Sequence, residues 1–163
     1  MIILTRVDDR MVHGQVVVGW ANALEINHIL LVNDGIKADE AKKSLLSMAV
    51  PPEIKLTVLD IREAAEYLKT GQDNNDRLIV LVASLADCLS VVEAGAPVKK
   101  VNVGGLRFGT GKKQVMPAVY LSRHDIEAVE KLNAMGITVE GRSVPTDKPV
   151  DILQSVRKAD NVR

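Results

Sequence analysis

The residues of this chain able to do chemistry cluster in "TRVDDRMVHGQVVVGW". There His13 stands between a run of alternating charges and an apolar, helix-like segment. An imidazole can accept a phosphoryl group or act as a base near neutral pH. Gly14 follows it without a Cβ, so an anion can approach the backbone closely. A helix starting near Gly14 or Gln15 presents amides that lack intrahelical partners, and its dipole favours negative charge there. Arg10, three residues before the histidine, adds a charge-assisted clamp. His13 is thus the candidate nucleophile, with Arg10, Gly14 and Gln15 as candidate phosphate ligands. Taken alone, these residues fit equally a surface-loop histidine that helps cap a helix. Asp8 and Asp9 read as general acid–base partners, as carboxylates that orient Arg6, Arg10 or His13, or as strand-end carboxylates capping loops.

The second stretch is "NVGGLRFGTGKKQV". Glycines followed by Lys112 and Lys113 can cradle phosphate. A flexible turn with solvated lysines ranks ahead of direct catalysis, and a docking surface for an acidic partner fits as well. It is not a P-loop. That motif needs glycine where Leu106 stands and Ser or Thr where Lys113 stands. No G-x-G-x-x-G follows the first strand-like run, so a strict dinucleotide fold is disfavoured. A hydrolase lacks its G-x-S-x-G elbow, and no second acidic cluster supports glycosidase chemistry. Only three histidines are present, with His28 before a strand and His124 in a helix's first turn, which disfavours a metal site. Trp20 falls on an apolar helix face with Val16, Val17 and Leu24, and reads as packing. Cys88 reads as a small buried hydrophobe. Ser84 and Asp34 are either recruited to phosphate or are helix N-caps.

Elements must position these groups. Short Val- and Ile-rich runs ("IILTRV", "HILLVND", "IKLTVLD", "RLIVLVAS", "KKVNVGG", "AVYLS", "GITVEGRSV") alternate with segments of helical period ("GQVVVGWANALE", "KADEAKKSLLSMAV", "IREAAEYLKTG", "LADCLSVVEAG", "SRHDIEAVEKLNAMG", "KPVDILQSVRKA"). Gly95 and Gly136 look like C-terminal caps, Ser122 with Asp125 like a capping start, and Pro51-Pro52 like a stop. This alternation predicts right-handed βαβ units: an α/β fold of three layers, with an open, predominantly parallel twisted sheet and helices on both faces. "GITVEGRSVPTDKP" adds a strand or an antiparallel pair at an edge. Sites in such sheets lie outside the carboxyl ends of the strands. That places "DDRMVHG", "NDG", "LD", "AS" and "GGLRFGTGKK" together. Strand order is not legible.

The chain has 163 residues, read as one domain over 1–163. Hydrophobic residues make up 47% and aromatics only 2%, so the core is aliphatic and base-stacking platforms are improbable. Twenty-one basic residues balance 21 acidic ones, which argues against nucleic-acid or anionic-membrane partners. A single cysteine allows no internal disulfide. No signal peptide or membrane-spanning run is read, so a cytoplasmic setting is expected.

At this point "RVDDRMVHGQV" resembles the phosphorylation-site motif R-[IV]-D-[DE]-R-[LM]-[IV]-H-G-Q-V of the IIB components of the bacterial phosphoenolpyruvate-dependent sugar phosphotransferase system, mannose/fructose/sorbose family. "VNVGGLRFGTGKKQV" is similar to that family's second signature, and "DIEAVEKLNAMGITVE" and "SVPTDKP" to its C-terminal region. Met11 replaces the commoner leucine. The resemblance spans nearly the whole chain. It implies a mostly parallel open sheet and transient phosphorylation of His13, through Nδ1, by a cognate phospho-IIA. Phosphate would then pass to a sugar held by membrane IIC/IID components, a protein-histidine–sugar phosphotransferase activity. It also implies that Arg10 holds the phosphate, and that no metal, nucleotide or organic cofactor is needed. Arg6, Lys112 and Lys113 are the candidates for docking the acidic IIA site. The rival reading is a non-enzymatic phosphosugar-binding or regulatory domain. The sugar, and whether the chain forms homo-oligomers, stay open.

Overall fold

The computed structural model describes residues 1–70 and 75–161. Along the chain run β1 (Ile2–Asp8), α1 (π-helical over Gln15–Trp20, α-helical over Ala21–Ala23), β2 (His28–Val32), α2 (Asp34–Lys37), α3 (Glu40–Met48), β3 (Lys55–Leu59), α4 (Ile61–Thr70), β4 (Leu78–Val82) and α5 (Leu85–Glu93). There follow β5 (Lys100–Gly105), β6 (Lys113–Met116), β7 (Val119–Leu121), α6 (Arg123–Ala134), β8 (Thr138–Gly141), β9 (Val150–Asp151) and α7 (Ile152–Asp160). Among the described residues, seven strands form one sheet in the order β3-β2-β4-β1-β5-β8-β9. All its pairings are parallel except β8 with β9. This is the three-layer α/β architecture expected.

β2 and β4 are buried at every position, which is why their sequences are continuously apolar. Leu30, Val32, Val80 and Val82 pack on one face with Ala64, Leu68, Leu85 and Val129 of α4, α5 and α6. Ile29, Leu31, Ile79 and Leu81 pack on the other with Val16, Val17, Trp20 and Ile36. Cys88 is among the buried residues of the first layer, and burial, then Asp87, pushes its thiol up to about 12. The caps are as read: Gly95 and Gly136 take positive φ of 96° and 81°, and Ser122 with Asp125 forms a full capping box.

Two local readings are corrected, and the antiparallel edge pair is borne out. "KADEAKKSLLSMAV" is not one helix, because two N-caps compete. Asn33 accepts from the Ile36 amide at 2.9 Å and Asp39 from the Lys42 amide at 3.0 Å, giving α2 and then α3. The "NDG" loop is thereby the first turn of α2. "AVYLS" does not join the main sheet; it turns back on Lys113–Met116 as the antiparallel pair β6–β7. The edge pair at "GITVEGRSVPTDKP" is β8 with β9, which extends past that stretch to Asp151. Gly71, read at the end of "IREAAEYLKTG", lies outside the described residues.

The chain leaves β1 over one layer toward β2 and returns from β4 over the other layer to β5. The carboxyl ends of β1 and β5, which are sheet neighbours, therefore face a reversal in winding, where α/β crevices form.

Candidate phosphoryl-transfer site

Alternation along β1 puts Arg6 and Asp8 on one face and Val7 on the other. Both charged side chains are 0% exposed. Such a pair holds only where most of its donors and acceptors are matched; both Nη atoms of Arg6 are, while its Nε makes no hydrogen bond. Arg6 donates through Nη2 to Asp8 Oδ2 (2.9 Å) and the Ser143 carbonyl (3.2 Å), and through Nη1 to Asn102 Oδ1 (2.5 Å) and the Arg142 carbonyl (3.1 Å). Its guanidinium lies 5.1 Å from the Trp20 ring centre; that of Arg142 lies 5.2 Å from it. Arg6 is therefore not the docking residue expected from sequence. Its place on the inward face of β1 makes it the buried counter-charge of Asp8.

Asp8 is the hub of the loop. It accepts from Arg6, from the Arg10 amide (3.2 Å), from Arg10 Nε (3.3 Å) and from His13 Nε2 (3.1 Å). Burial alone would raise its pKa. The charge of Arg6, the His13 contact and Arg10 outweigh burial and hold the carboxyl below its ordinary range. An ionised carboxylate only accepts, so His13 Nε2 carries the hydrogen. In the neutral ring Nδ1 then keeps the lone pair. Of the two ring nitrogens, the hydrogen-bond network thus leaves Nδ1 as the one with a free lone pair.

Arg10 reaches onward to Gln15 Oε1 at 2.8 Å, joining two of the expected phosphate ligands. Gly14 has ordinary right-handed helical φ, and a Cβ there would meet nothing within 4 Å. Packing does not require glycine at this position; open access to the backbone is what its small size leaves. The turn that brings His13 round places Met11 at φ 57°, a strained value for a residue with a side chain.

The glycine signature acts at close quarters. A Cβ on Gly104 would collide with the guanidinium of Arg6, and one on Gly105 would lie 3.3 Å from Asp8 Oδ1 and 3.5 Å from Arg10 Nη2. Beyond it, the Arg107 amide and Nε donate to Asp9 Oδ2 at 2.8 and 2.9 Å, and the Asp9 amide donates to the Gly105 carbonyl at 3.0 Å. The two loops are thus stitched together by Asp9. Sequence reading missed Asn102, Arg107 and Ser143, whose signals were only neighbours in space.

Other candidates go elsewhere. Lys113 is paired with Asp160 of α7, which removes it as a free docking charge; Lys112 stays half-buried in the loop before β6. Ser84 caps α5 and Asp34 ties the start of α4 to α2, so neither joins the phosphate ligands. Trp20 is buried, donating to the Ser143 carbonyl at 3.2 Å. Among the described residues, no group of three or more His, Cys, Asp or Glu is arranged to hold a metal ion. No described helix is long and apolar enough to cross a membrane.

Residues 2–163 match the family model of the PTS system sorbose subfamily IIB component. The chain is 36% identical over 160 residues to the mannose-specific EIIAB component of Escherichia coli (strain K12), covering 98% of this chain and 50% of that protein. It therefore spans about half the length of such two-part relatives. It is 33% identical to the sorbose-specific EIIB component of Lacticaseibacillus casei, covering 96% of this chain and 95% of that one. The crystal structure of the IIBSor domain of the sorbose permease from Klebsiella pneumoniae superposes with a TM-score of 0.89 at 32% identity, over 97% of both chains. The buried Arg6–Asp8–His13 network, the fold that carries it and these similarities agree: the chain belongs to the sorbose-subfamily IIB components of the sugar phosphotransferase system.

Proposed function

We propose that this protein is a cytoplasmic phosphocarrier that takes a phosphoryl group from a cognate phospho-IIA and gives it to a sugar held by membrane IIC/IID components. In the first step His13 Nδ1 attacks the donor phosphorus. A P–Nδ1 bond forms, the donor P–N bond breaks, and its electron pair returns to the donor nitrogen. Nε2–H stays on Asp8, whose charge supports the cation that develops on the ring. Arg10 and the opening amides of α1 at Gly14 and Gln15 spread the charge of the equatorial oxygens. In the second step a sugar hydroxyl attacks phosphorus and its proton passes to solvent or to a base of the component that holds the sugar, while the P–Nδ1 bond breaks with its electron pair returning to Nδ1. The activity is that of a protein-Nπ-phosphohistidine–sugar phosphotransferase, and contact with the membrane is through its partners only. A carrier must release what it accepts, and the half-open cradle around Arg10 suits moderate stabilisation.

The observation that carries this reading is the buried Asp8 carboxylate on His13 Nε2, which leaves Nδ1 as the nucleophile. The test mixes phosphoenolpyruvate, the general phosphotransferase proteins and the cognate IIA with this protein. Acid-labile phosphate is expected on His13 and absent in His13→Ala, with Arg10→Ala slower but folded. Full labelling of His13→Ala contradicts the reading. Saturable phosphosugar binding without any label would favour a regulatory domain instead.

A further inference from the structure

We propose that Arg107 is a second phosphate-binding residue, which exchanges its carboxylate partner Asp9 for the phosphoryl group in transit. This rests on the reading of His13 as the phosphate acceptor. An open depression of about 500 Å³ lies against the site, lined among others by Asp9, Arg10, Gln15, Gly105, Arg107 and Ser143. Two guanidiniums thus face one depression, and consecutive carboxylates hold them: Asp8 holds Arg10 and Asp9 holds Arg107.

The three cation–carboxylate pairs of these loops differ in how readily they open. The Arg6–Asp8 pair is fully buried and has no route to exchange. The side chain of Arg107 is 71% exposed, so water and salt weaken its hold on Asp9. The backbone amide of Arg107 makes its own 2.8 Å bond to the same Asp9 oxygen. If the guanidinium swings away, that amide bond keeps the loop in place and leaves Asp9 with a partner. A phosphoryl group in transit carries charge on three equatorial oxygens, more than Arg10 serves when it also keeps Asp8 and Gln15. A planar, permanently charged fork lining the same depression supplies the remaining donors.

The test separates phosphate binding from partner docking by using a donor with no protein surface. Wild type, Arg107→Ala and Arg107→Lys are phosphorylated on His13 either by phosphoramidate or by phospho-IIA, and their thermal unfolding is followed in parallel. Arg107→Ala is expected to slow labelling by at least about tenfold with both donors. Arg107→Lys should recover part of the rate, with unfolding midpoints unchanged. An Arg107→Ala rate equal to wild type with phosphoramidate overturns the inference, even if phospho-IIA is slowed, because the residue then only docks the partner. Wild type that takes no label from either donor removes the His13 reading itself, and this inference with it.

Discussion

Asp8 decides what His13 can do. A histidine on an exposed loop has two interchangeable nitrogens. Here one is fixed by a carboxylate that is itself fixed by Arg6, Arg10 and a backbone amide. Asp8→Asn should leave Arg6 as an uncompensated buried charge, costing about 3–5 kcal/mol in urea unfolding. It should also slow labelling of His13 at least about tenfold, since the amide no longer enforces the ring tautomer. Wild-type labelling by a folded Asp8→Asn protein would mean that the carboxylate does not set the reactive nitrogen. At this scale the sequence showed His13 and Arg10 through their motif. It offered Asp8 as a carboxylate that orients Arg6, Arg10 or His13, which the contacts bear out, but it did not show that Arg6 is buried, although Arg6-x-Asp8 at a strand end was a sign of one shared face. Composition made Arg6 look like a surface cation because arginine is so rarely buried without a partner.

Among the elements, β5 does more than support the sheet. Its two closing glycines are the floor on which Arg6 and Asp8 lie. Gly104→Ala must displace the Arg6 guanidinium, and overpacking of this kind costs about 1–3 kcal/mol. The variant should unfold at lower urea and lose labelling together. Unchanged stability would show that Arg6 can relocate freely. The π-helical opening of α1, where the Ala21 amide reaches back to the Val16 carbonyl, was invisible in "QVVVGW" because helical period alone does not separate the two helix types. β6 was hidden for a different reason: Lys113 and Gln114 break the apolar run that announced the other strands. The strands buried on both faces were the most legible, since nothing polar interrupts them.

At the scale of the whole molecule, the opposite end of the sheet holds a second polar cluster that bears on stability. His28, buried at the start of β2, lies between Asp76 Oδ2 at 2.9 Å and Thr57 Oγ1 at 2.9 Å, with Tyr67 also donating to Asp76. Burial lowers its pKa against the pull of Asp76. The unfolded chain therefore binds a proton more readily than the folded one. This contribution is full above about pH 6.5 and is lost as pH falls through the lower folded value. Asp8, also depressed, adds an acid-side loss that begins only near about pH 4. Urea midpoints should drop between about pH 7.5 and pH 5.5, and drop less in His28→Asn; a pH-independent midpoint over that range would contradict the assignment. The order of strands, which places β1 beside β5 and so brings two distant loops together, was beyond the sequence because pairing partners leave no local mark. The central claim is that this arrangement makes Nδ1 of His13 the phosphate carrier. It is tested most directly by phosphorylating protein labelled with nitrogen-15 and recording the imidazole nitrogens by NMR. Phosphorus on Nδ1 with the hydrogen retained on Nε2 is the result expected; phosphorus on Nε2 would contradict it.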